Sequence, residues 1–154
     1  MKKIFLDTNV ILDDVLERKG ARETQQLYTR ADRGQIKLYT SFLSMANVAY
    51  ILRKMPNESL IELLKGITSF VEILSMDDKQ FFSSLEANAP DFEDSLQYQC
   101  AKVHNCDFLL TNNVKHFKFS KIPVITPTEF LATFTNSCSD NMQKRRANDA
   151  SKEQ

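Results

Sequence analysis

The chain has 154 residues, 42% of them hydrophobic and 26% charged, enough for one domain with a sizeable core and not comfortably enough for two. Lys+Arg and Asp+Glu both number 20, so the formal net charge is zero; this excludes a general electrostatic pull on nucleic acid, and any RNA contact must come from a local basic patch or a metal ion. Asp7, Asn9 and Asp13 interrupt the apolar start too early for a signal-peptide core, and no apolar run approaches the roughly 20 residues of a membrane span, so a cytoplasmic protein without membrane association is expected.

In chain order, Lys3 to Leu6 reads as a short strand closed by Asp7. From Asn9 the pattern turns helical, with Ile11, Leu12, Val15 and Leu16 on one face, until Gly20 breaks it. A second helix is predicted over about Glu23 to Asp32 and a second strand over Ile36 to Tyr39. Phe42 to Leu52 is almost wholly apolar and too long for a strand, which predicts a buried helix. Pro56 and Asn57 end it, and Glu58 to Lys65 forms another helix. Thr68 to Leu74 reads as β, and Asp77 to Ala87 as helix. Pro90 and Asp91 open a further helix to about His104, with Phe92, Leu96, Cys100 and Val103 at core spacing. Phe108 to Thr111 and Pro123 to Ile125 are the last strands, and Thr128 is expected to cap a final helical turn. Strands alternating with helices predict an α/β single domain over 1–134: a central parallel sheet of about five strands, flanked by helices on both faces. Function in such sheets sits beyond the carboxyl ends of the strands. Residues 135–154 are polar and aperiodic, and read as a flexible tail; its Lys144, Arg145 and Arg146 are either solvated or a nucleic-acid contact. Cys100, Cys106 and Cys138 lack any metal-ligand spacing and read as reduced thiols, Cys100 in the core.

Polar residues concentrate at three places near the expected functional edge. Asp7 follows four core-like residues, so it is either a site acid or the cap of the next helix. In PDFEDS, Asp91, Glu93 and Asp94 share one helical turn, and Asp91 and Asp94 share a face. Spacing alone favours caps here: acids suit a first turn, and at about 100° per residue Asp94 lies nearly opposite Phe92 and Leu96. Thr111, Asn112, Asn113 and His116 in TNNVKHF offer hydroxyl, amide and imidazole groups at a strand end, though an Asn-rich loop is usually a turn and a lone histidine usually surface. Asn47 is the one strongly polar residue in its apolar helix, and must satisfy backbone groups or face a polar pocket. P-loop, GxGxxG and GxSxG signatures are absent.

FLDTNVILD resembles the opening of the PIN domain family. SFLSMANVAYILRK is similar to the family's helix after the second strand, DFEDSLQYQCAKVHNCDFLLTNNVKHF to its acid-bearing helix, strand and loop, and KIPVITPTEFL to its closing strand and helix. The resemblance runs from about Lys2 to Leu131. It implies a metal-dependent endoribonuclease, VapC-like, as in the toxins of toxin–antitoxin pairs, with RNA as substrate, an antitoxin protein as partner and a homodimeric assembly. It implies Mg²⁺ or Mn²⁺ held by Asp7, Asp94 and a third acid, Asp91, with Asn113 also catalytic and Asn9, Asn47, Thr111 and His116 as supporting polar groups. Hard cations that prefer oxygen suit such a donor set. Lys115, Lys118 and Lys121 follow directly and are the candidate RNA contacts, or else a solvated loop. Asn47 stands where many members carry a glutamate, Asn112 where an arginine is common, and His116 where an aspartate is expected. Those departures sustain an alternative: a catalytically weak PIN fold acting as an RNA-binding or protein-interaction module.

Overall fold

The computed structural model describes residues 1–134; the predicted tail, with Lys144 to Arg146 and Cys138, lies outside them. The strands are β1 (Lys2–Leu6), β2 (Ile36–Ser41), β3 (Val71–Leu74), β4 (Phe108–Leu110) and β5 (Val124–Ile125). They form one sheet in the order β3-β2-β1-β4-β5, with every neighbouring pair parallel. The helices are α1 (Thr8–Val15), α2 (Ala21–Asp32), α3 (Phe42–Ile51), α4 (Asn57–Thr68), α5 (Asp78–Glu86) and α6 (Phe92–Val103), followed by α7 over 127–134. A 3-10 turn, Val114–Phe117, follows β4.

β1 lies in the middle because both of its faces are covered. Ile4 and Leu6 pack with Val10, Leu27, Ile67 and Phe130 on one side, while Phe5 packs with Tyr98, Cys100 and Leu109 on the other. Alternation along a strand sends successive side chains to opposite faces, and a run of Ile4, Phe5 and Leu6, all fully buried, feeds two cores at once. The order reverses between β1 and β4, which leave in opposite directions across the sheet, and this opens a crevice at their carboxyl ends. Leu6 is in register with Leu110, so the residues that follow, Asp7 and Thr111, emerge side by side.

Several expectations are corrected. α3 is not a buried helix: Phe42, Tyr50 and Ile51 are exposed, and only Ser44 and Val48 are fully buried. It packs on the domain along one edge, and among the described residues nothing covers its outer side. α4 continues to Thr68, so β3 begins only at Val71. Thr126, not Thr128, caps α7, exchanging hydrogen bonds with Glu129 as in a capping box. The core stripe of α6 is also rotated. Ser95, Gln97, Tyr98, Cys100 and Ala101 face inward, whereas Phe92 and Val103 are exposed. Phe92 instead meets Phe81 of α5 edge to face, with ring centroids 5.4 Å apart. Small Ser95 and Ala101 let α6 approach the sheet closely, and a polar partner awaits Gln97 there.

Candidate active site

Asp7 caps the helix that follows it and also gathers polar partners from the neighbouring strand end. As N-cap of α1 its Oδ1 accepts from the Thr8 N–H at 2.7 Å. Its Oδ2 accepts from Asn9 Nδ2 at 3.0 Å and from the Thr111 hydroxyl at 2.8 Å. The carboxyl is buried, and that desolvation pushes it up from 3.8 to about 6. Thr111 pulls it down, the nearby Asp94 carboxylate pushes it up again, and the bonds from Thr8 and Asn9 lower it. Capping alone does not require this burial.

The rotation of α6 brings its first-turn acids to Asp7. Asp94 is held above the ordinary carboxylate range by burial and by Asp91, against the pull of His116. Glu93 is raised by burial and then by Asp7 itself. Periodicity places Asp94 away from the core face; that face is polar and turned, so Asp94 and Glu93 overlook the crevice. Glu93 escapes a sequence-based site assignment because the helix cap explains it equally well. Asn47 donates to Glu93 Oε1 at 2.6 Å, so the amide on α3 is explained by a polar partner at this edge. Asp91 Oδ1 accepts from the Asp94 N–H at 3.0 Å, the cap expected of it.

His116 Nδ1 lies 3.0 Å from Asp94 Oδ2. Thr111 is fully buried and accepts the Asn113 N–H at 3.1 Å; the Asn113 side chain is exposed beside Lys115 and His116. Lys118 and Lys121 are exposed farther along the loop, Lys121 giving its backbone N–H to the Tyr98 hydroxyl.

A buried polar network supports these residues and leaves no signal in the sequence. Gln97 Nε2 donates to Ser44 Oγ at 2.8 Å and to Thr8 Oγ1 at 3.3 Å, and its Oε1 accepts from Ser41 Oγ at 2.6 Å. Thr8 Oγ1 donates to Ser44 Oγ at 2.8 Å. One amide thereby ties α6 to the starts of α1 and α3, and fixes the acid-bearing turn over Asp7.

The donors suit a hard divalent cation: they are carboxylate oxygens gathered against their own repulsion. Among the described residues, however, no three His, Cys, Asp or Glu side chains form a ready-made metal cage. Such an arrangement fits an ion that keeps most of its waters and takes one or two protein carboxylates. Cys100 and Cys106 are free, buried thiols, both pushed up by burial, and take no part. No helix of the described residues is long and apolar enough to cross a membrane.

Residues 3–115 match the PIN domain family. The chain is 30% identical over 135 residues to Ribonuclease VapC1 of Aquifex aeolicus (strain VF5), a match covering 84% of this chain and 93% of that protein. Its fold is that of VapBC2 from Rickettsia felis bound to a promoter DNA fragment: TM-score 0.64, 20% identity, 80% of this chain and 98% of the other. VapBC-1 from nontypeable Haemophilus influenzae superposes with a TM-score of 0.62 at 19% identity, over 82% of this chain and 98% of its own. The match over most of the chain, together with the acid at the end of β1 and the acid-bearing helix beside it, makes this chain a member of the PIN domain family.

Proposed function

We propose that the chain is a metal-dependent endoribonuclease and the toxin of a toxin–antitoxin pair. The observation that carries the reading is the gathering of Asp7, Glu93 and Asp94 at the sheet's switch point, each held above its ordinary pKa. Carboxylates kept together at such cost in the metal-free protein suit a cation. Asp7 and Asp94 would hold Mg²⁺ or Mn²⁺, with Glu93 and Asp91 beside them. When bound, the ion supplies a water of lowered pKa and neutralises charge developing on the phosphate. Thr111 and Asn9 fix the Asp7 carboxylate, Gln97 fixes the helix that carries Asp94, and His116 orients Asp94 Oδ2. Asn113 and Lys115 lie beside His116, where the phosphate chain would pass.

The related VapC1 is a ribonuclease, and the solved structures of like fold are VapBC toxin–antitoxin complexes. Exposed Phe81, Phe82, Leu85 and Phe92 on α5 and α6 add support for a protein partner, a second copy or an antitoxin. A second reading, an RNA- or protein-binding PIN fold with weak catalysis, draws on His116 occupying an Asp94 oxygen and Asn47 occupying Glu93. RNA cleavage in Mg²⁺ or Mn²⁺, with Asp7→Asn as control, separates the two. Metal-dependent cleavage lost in the variant supports the nuclease; binding without cleavage in the native chain supports the second.

A further inference from the structure

Two successive rungs join α3 to α6. In the first, Gln97 Nε2 donates to Ser44 Oγ at 2.8 Å. The second lies one turn away on each helix, three residues on in α3 and four back in α6. There Asn47 Nδ2 donates to Glu93 Oε1 at 2.6 Å. The first rung also touches Thr8, the neighbour of Asp7, through Gln97 Nε2 at 3.3 Å. Glu93 therefore stands at the acidic crevice, where the Asp7 charge is felt, and it is exposed to solvent.

The four acids of this edge differ in what already holds them. Asp7 accepts from Thr8, Asn9 and Thr111, and Asp94 Oδ2 lies against His116. Asp91 caps α6 by accepting the Asp94 N–H. Glu93 caps nothing. An acid in a first turn suits the helix dipole, but the one hydrogen bond Glu93 makes among the described residues leaves its helix for α3. Its Oε2 accepts none there. An amide donor orients a carboxylate without cancelling its charge, as the outer partners of metal sites do. Among the described residues no three acids close into a cage, so a cation taken by Asp7 and Asp94 keeps several waters. Waters on a divalent cation are strong donors, and they need acceptors.

We propose that Glu93 receives this water shell: its Oε2 accepts from a water of the cation held by Asp7 and Asp94, and Asn47 is the positioning residue that aims it. The inference rests on the metal-dependent nuclease reading, and it assigns the outer acceptor to Glu93 and not to the capping Asp91.

Calorimetric titration of the full chain with Mn²⁺ tests it, with the metal-free melting temperature recorded for every variant. Glu93→Gln keeps the size of the side chain and an acceptor for Asn47, and removes the charge. It should weaken Mn²⁺ binding by about tenfold to a hundredfold, as loss of an outer partner does. Its metal-free melting temperature should equal or exceed that of the native chain, because repulsion is relieved. Asn47→Ala should weaken binding as well, and should add nothing in the Glu93→Gln background, since it acts through that carboxylate alone. Additive losses would dismiss Asn47 as the positioning residue. A lowered melting temperature with Mn²⁺ affinity intact in Glu93→Gln makes the rung a brace between helices and overturns the proposal. Weakened binding in Asp91→Asn with native affinity in Glu93→Gln passes the role to Asp91, and also overturns it. In both cases a Mn²⁺ response lost in Asp7→Asn leaves the metal site itself standing. A native chain that binds no Mn²⁺ overturns the metal-dependent reading, and this inference with it.

Discussion

Thr111 donates its hydroxyl to Asp7 Oδ2 at 2.8 Å, so the residue closing β4 orients the residue closing β1, 104 positions earlier in the chain. The bond favours the charged carboxylate that burial disfavours. Thr111→Val keeps the shape and removes the donor. It should cost about 1.5–3 kcal/mol at pH 8, as expected for a hydrogen bond to a charged group, and less at pH 5 where Asp7 is largely protonated. Urea unfolding at the two pH values reads the difference, and an equal loss at both would mean that the bond does not serve the charge.

Asp7 binds a proton more tightly in the folded chain than in the unfolded one, with a folded pKa of about 6 against 3.8. Stability of the metal-free protein should therefore fall as pH rises from about 4 to 6 and level off above, by about 3 kcal/mol from this group. Asp7→Asn keeps the cap and removes the buried charge. It should be the more stable form at pH 8 without metal, and should lose the native chain's rise in melting temperature with millimolar Mn²⁺. A variant that still responds to Mn²⁺ would remove Asp7 from the ligand set.

Gln97 is fully buried and satisfies three hydroxyl partners. Gln97→Leu should destabilise the chain by about 2–4 kcal/mol, because Ser41, Ser44 and Thr8 are left with unmet polar groups. Chemical denaturation measures it, and cleavage per folded molecule should drop as well, since α6 no longer holds its acids over Asp7. Full activity in the folded fraction would confine Gln97 to stability.

His116 pairs with Asp94 and adds no negative charge beside it. His116→Asp should raise Mg²⁺ affinity and lower metal-free stability, because a further carboxylate joins the cluster. The native chain, with an imidazole there, should favour Mn²⁺ over Mg²⁺ more than the variant does. Calorimetric titration with both ions decides it: equal Mg²⁺ affinities in the two forms place position 116 outside the ion's reach.

Whatever depends on neighbours along the chain is legible in its residues. The fully apolar Ile4 to Leu6, the alternation of strands and helices, and the capping residues Asp7 and Asp91 all announce themselves, and with them the parallel sheet and the strand end at which Asp7 emerges. Which face of each element turns inward is set by packing between distant segments. The apolar α3 is exposed because burial requires a covering layer as well as an apolar surface. The inner face of α6 is polar because Gln97 finds Ser41, Ser44 and Thr8 there, partners 56, 53 and 89 positions away. That packing turns Glu93 and Asp94 from helix caps into neighbours of Asp7. Periodicity averages over apolar side chains, and it cannot register a polar residue whose burial is compensated only by hydroxyls from distant strands and helices.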